Sequence, residues 1–101
     1  MDKSILETVR EGARDLRKAG VMDDVTMREF DALCLPPVKT YSALQIRRIR
    51  ERNKASQAVF ALYLNTSKST VQKWEQGMKK PNGPSLKLLN LVDQKGLEIL
   101  A

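Results

Sequence analysis

The stretch SQAVFALYLNTSKSTVQKWEQG, Ser56 to Gly77, holds two helical segments joined by only about three residues, so the helices must cross steeply and touch beside the turn. Little else that a chain of 101 residues does is as constrained as this joint. The residues suit it. Ala61 is small where the backbones must approach, Asn65 tolerates a left-handed turn, and Phe60, Leu64, Val71 and Trp74 supply the apolar filling. Ser56 and Ser67 stand where N-caps are needed, their side-chain oxygens placed to accept the unused N–H groups of a first helical turn.

Around this joint the pattern predicts further helices at about 43 to 53, 57 to 64, 68 to 76 and 84 to 95, the last after the turn GMKKPNGP. Upstream, Ser4 with Glu7 has capping-box spacing, and Ile5, Leu6, Val9, Ala13 and Leu16 form one apolar arc that ends at Gly20. A second capping box, Thr26 with Glu29, opens a short helix at about 27 to 34, with Met27, Phe30, Leu33 and Cys34 on one face. Pro36 and Pro37 then forbid continuation. The expectation is an all-α chain of two parts, a helical arm at 1 to 40 and a bundle at 41 to 101.

Charge divides at the same place. Residues 1 to 40 carry seven Lys/Arg against eight Asp/Glu, whereas residues 41 to 101 carry eleven against four, a net of +7. A concentrated positive field attracts polyanions and releases counterions when it meets phosphates, which makes nucleic acid the first partner to consider. An anionic membrane fits less well, because no helix sets one long Lys-rich face opposite Trp and Phe. No run approaches the roughly 20 apolar residues of a membrane span. The segment MDKSILETVREGARD is charged where a signal peptide would be apolar, so a cytoplasmic location is expected. Catalysis lacks its parts. The chain has no histidine, a single cysteine, no metal-ligand spacing and no glycine-rich phosphate loop, and neither an enzyme nor a cofactor is expected. Cys34 reads as a small buried apolar residue.

On the second helix of the joint, Ser69, Gln72, Lys73 and Gln76 lie opposite Val71 and Trp74. A polar face is ordinarily a solvated one. Here it sits on a steep two-helix turn in a basic domain, and it combines Ser, Thr and Gln, which read base edges, with lysines for phosphates or guanine. RNA recognition is disfavoured because Phe60 and Trp74 are committed to packing and few aromatics remain for stacking.

From Ser42 to Leu91 the R-x-x-R, S-Q-x-x-F-A, T-V-x-x-W-E-x-G and P-x-G-P elements resemble the Cro/C1 (lambda repressor-like) helix-turn-helix domains of the XRE family. The resemblance implies that Gln57 and the start of its helix hold a phosphate, and that Lys68, Ser69, Thr70 and Lys73 face the groove. Ser67 and Gln72 join this candidate DNA-binding set, as do Lys79 and Lys80 in the turn after Gly77. Arg50 and Glu75 fall at the edges of their helices' core faces and are expected to pair as a structural clamp, as the resemblance also implies. Arg47, Arg48, Arg52 and Lys54 read as solvated charges.

Such domains pair on half-sites about 34 Å apart, so a homodimer on an operator of double-stranded DNA is expected. Leu86, Leu88, Leu89, Leu91 and Val92, continued by Leu97, Ile99 and Leu100, cover more of the last helix than one core face needs. Either a second copy or the arm would cover the excess. In layout the chain is similar to HigA-type antitoxins, which implies an autorepressor whose arm blocks a RelE/HigB-like ribonuclease toxin. The candidate toxin-binding stripe is Ile5, Val9, Leu16, Met27 and Phe30. The alternative is a plain XRE-family regulator with no toxin.

Overall fold

In a computed structural model the protein is described over residues 5–18, 20 and 23–101, without the side chains of residues 6, 13 and 16–18. Ser4 of the first capping box and the side chain of Leu16 therefore lie outside the described residues. Those described are all helix and loop. The order is α1 (Ile5–Lys18), α2 (Asp24–Leu33), α3 (Ala43–Arg52), α4 (Gln57–Tyr63), α5 (Lys68–Glu75), α6 (Gly83–Lys95) and a terminal 3-10 turn, Leu97–Leu100. They divide into two compact units, Met1–Pro37 and Val38–Ala101.

In the first unit α1 packs on α2. Met27 is buried, and Arg10 Nε donates to Asp31 Oδ1 at 2.8 Å, which holds the Asp31 carboxyl below its ordinary range. Helix α2 starts three residues before the expected Met27, because Asp23 rather than Thr26 is its cap. The Asp23 Oδ1 accepts the Thr26 N–H at 2.8 Å. A carboxylate at the cap adds its attraction for the positive end of the helix to the hydrogen bond, which a threonine hydroxyl does not. Leu33 departs from the expected shared face and is exposed, and Cys34 is half-buried rather than fully so.

The second unit is built around Ile46 and Ile49 of α3, Phe60 and Ala61 of α4, Leu64, Val71 and Trp74 of α5, Leu89 and Val92 of α6, and Leu97. Each of its helices starts at a side-chain cap. Ser42 and Gln45 form a full capping box, Ser56 accepts from Val59 N, Ser67 from Thr70 N, and Asn82 from Ser85 N. Asn65 has φ 53°, the left-handed conformation expected of the joint, and Thr66 N–H reaches back to Ala61 O at 2.9 Å.

Two long-range ties involve residues with no local signal. Asn90 is buried inside α6. Its Oδ1 accepts from Lys39 N at 2.8 Å, and its Nδ2 donates to Lys39 O at 2.9 Å and Leu86 O at 2.8 Å. Residues 38 to 40 therefore group with the bundle rather than with the arm. Asn53 Oδ1 accepts from Leu97 N at 3.1 Å. Gly96, at φ +86°, turns the chain back so that Leu97 enters the core and Leu100 packs against it. Much of the apolar surface expected to be covered by a second copy or by the arm is thereby used inside the unit. Leu89, Val92 and Leu97 are buried, Leu86, Leu88, Leu91 and Leu100 are half-buried, and Ile99 remains exposed.

Candidate nucleic-acid interface

Helix α5 buries Val71 and Trp74 and turns Lys68, Ser69 and Lys73 outward. With 3.6 residues per turn, a helix that commits Val71 and Trp74 to the core must present the intervening positions away from it. Thr70 and Gln72 sit at the half-buried edges. Ser67 is the cap of this helix. Its Oγ accepts from Thr70 N at 3.1 Å and lies 2.8 Å from Thr70 Oγ1, so both hydroxyls are occupied in holding the helix start.

After α5, Gly77 at φ +74° reverses the chain, and Met78 N and Lys79 N both donate to Lys73 O, at 2.9 and 3.3 Å. Lys79 and Lys80 are exposed on this turn. The turn is thus pinned to the helix end from which Lys73 projects.

The orientation of α5 is set by charge as well as by packing. Arg50 Nε and Nη2 each donate to Glu75 at 2.8 Å, and Arg50 Nη1 donates to Ala55 O at 3.0 Å. The fork is largely buried, with Glu75 only 4% exposed. Hydrogen bonding to the Glu75 carboxylate raises the Arg50 pKa above its ordinary value, against the opposing effect of burial. The clamp expected from the two helix edges is present. Gln57 Nε2 stands 3.4 Å from Glu75 Oε1, a long contact that leaves the amide available at the rim.

Beside α5 runs an open groove of about 560 Å³ with the Arg50–Glu75 fork in its wall and Arg47, Gln57, Lys68 and Gln76 around it. The arrangement brings Gln57 and Lys68 together, from α4 and α5. It also places Arg47 there, which reads in the sequence as a solvated charge. The signal was present in the spacing, since Arg47 stands three residues before Arg50 and so on the same side of α3.

In the first unit, Ile5 is 84% and Val9 41% exposed, whereas Met27 is 7% exposed and Phe30 half-buried. Met27 consequently belongs to the packing of α1 on α2 and is not open to a partner. Val25, Leu33 and Leu35 are exposed and were absent from the candidate stripe. Among the described residues no group of His, Cys, Asp and Glu could hold a metal ion, and no helix is long and apolar enough to cross a membrane.

A family model described as Helix-turn-helix matches residues 46–100. The chain is also similar to a protein named Antitoxin HigA-2 from Vibrio cholerae serotype O1, 46% identical over 50 residues, which are 50% of this chain and 48% of the relative. The chain thus spans about half the length of the curated relative it matches.

Proposed function

Because the chain belongs to the helix-turn-helix family, we propose that it is a sequence-specific DNA-binding repressor and the antitoxin of a toxin–antitoxin pair. In this reading α5 enters the major groove of an operator. Lys68, Ser69, Gln72 and Lys73 meet base edges or nearby phosphates, while Gln57, Lys79 and Lys80 contact the backbone. The observation that carries it is the exposed polar face of α5, held rigidly by the Arg50–Glu75 fork on a bundle of net charge +7 over residues 41 to 101. The half-buried Leu86 and Leu91 and the exposed Ile99 are the surface we assign to a second copy, giving a dimer on paired half-sites.

The antitoxin part draws its support from the relative's name and from the exposed Ile5 and Val9 on an amphipathic α1. An apolar stripe on a helix suits capture in a groove of a RelE/HigB-like toxin. The two roles should separate. A fragment beginning at Val38 should bind a duplex from its own promoter with steep salt dependence and fail to capture the product of the adjacent gene. Val9→Asp in the full chain should lose that capture and keep DNA affinity. Undiminished capture by the fragment would move the toxin site onto the bundle, and an adjacent gene that encodes no toxin would favour the plain regulator.

A further inference from the structure

Arg47 comes from α3, yet its side chain lines the groove beside α5 together with Gln57, Lys68 and Gln76. Its Nε donates to Glu51 Oε1 at 2.7 Å, one helical turn along, and the two side chains are 60% and 52% exposed. Arg50, on the same side of the helix, differs in kind. Three of its nitrogens are engaged by Glu75 and Ala55, and it is 14% exposed, so it has little to offer a ligand. Arg47 has most of its planar fork of donors to spare.

An ion pair this exposed is weak, because water screens it and two long side chains must be held still. Exchanging the Glu51 carboxylate for another oxyanion therefore costs little. A phosphodiester presents two oxygens to a guanidinium much as a carboxylate does. The groove favours such an occupant, since Lys68 adds a second cation and Gln57 and Gln76 bring amide donors. The carboxylate in its wall, Glu75, is already engaged by Arg50. Building on the DNA-binding reading above, we infer that Arg47 is a phosphate contact reached from α3, and that Glu51 holds its guanidinium in the free protein and yields it to the DNA backbone. Glu51 thus acts as an internal competitor that lowers affinity for every duplex alike.

The test uses the full chain, a duplex from the promoter of its own gene, and an unrelated duplex of equal length, titrated at several salt concentrations. Arg47→Ala should weaken both duplexes about equally, by about fivefold at low salt. It should also reduce the slope of log K against log salt by about 0.9, the value for one lost phosphate contact. Arg47→Lys should retain most of the slope. Glu51→Ala should tighten binding by about twofold, and that gain should shrink in the Arg47→Ala background. A carboxylate that merely repelled the DNA field would act equally in both backgrounds, so an equal gain overturns the proposal. An unchanged slope in a folded Arg47→Ala variant overturns it too. Should the unmodified protein bind neither duplex, the DNA-binding reading falls and this inference with it, whereas normal parental binding with an unaffected Arg47→Ala removes the inference alone.

Discussion

Arg50 grips Glu75 through two parallel hydrogen bonds of 2.8 Å, Nε to Oε2 and Nη2 to Oε1, and so ties α3 to the last turn of α5. With Glu75 4% and Arg50 14% exposed, removal of one partner strands the other where water solvates it poorly. Glu75→Ala should destabilise the fold by about 3 kcal/mol in urea denaturation. The double variant Arg50→Met with Glu75→Leu should lose less, because it leaves no unpaired charge. Equal stability of Glu75→Ala and the parent would show that the fork does not hold α5.

Ser69 and Lys73 project from α5, whereas Gln57 sits at the rim of the neighbouring groove. Ser69→Ala and Lys73→Ala should relax base preference, each good base contact being worth about 1–3 kcal/mol of discrimination. Gln57→Ala should instead weaken all sequences nearly alike. Selection from a randomised duplex library reads the difference. Parental preferences in both α5 variants would put the recognition face elsewhere.

Asn90 satisfies the N–H and C=O of Lys39 from inside α6. Asn90→Ala leaves both backbone groups without these partners, and about 1–3 kcal/mol of stability should go with them. The Lys39 amide should then exchange with solvent faster, with the amides of α4 protected as before. Uniformly faster exchange would mean that the loss is global rather than local to the segment that enters the bundle.

Tyr41 Oη donates to Asp93 Oδ2 at 2.8 Å, and Asp93 also accepts from Arg52 at 2.7 Å. Burial, with help from the Asp93 carboxylate, pushes the Tyr41 pKa from 10.0 up to about 12. Folding therefore favours the neutral phenol. The contribution is complete below pH 10.0, where both folded and unfolded forms are protonated, and is lost as pH rises toward about 12. Asp93 works in the opposite direction. Arg52 and then Tyr41 hold its pKa below 3.8, so its contribution is present above that value and fades as pH falls further. Tyr41→Phe should flatten the alkaline limb relative to the parent in denaturation series run side by side. Parallel alkaline limbs would place the phenol outside the network.

Read alone, the sequence determined the features whose cause lies within one helical turn. Ser56 and Ser67 cap their helices because the side-chain oxygen and the N–H it satisfies are three residues apart. Asn65 takes the left-handed turn at φ 53° for reasons carried in its own side chain. The core of Ile46, Ile49, Phe60, Leu64, Val71 and Trp74 was legible from periodicity, and the Arg50–Glu75 pairing from two positions at the edges of two apolar faces. Even local reading failed where two caps competed, with Asp23 prevailing over Thr26. Tertiary structure decided what joins residues far apart in the chain. Lys39 meets Asn90 across 51 positions, and Leu97 turns into the core on Gly96 and Asn53, using apolar surface that periodicity alone leaves to a partner. Arg47 enters the groove of α5 only because α3 and α5 cross where they do. Crossing angles follow from how side chains of different helices interlock, and a one-dimensional pattern records which face of a helix is apolar but not what stands opposite it.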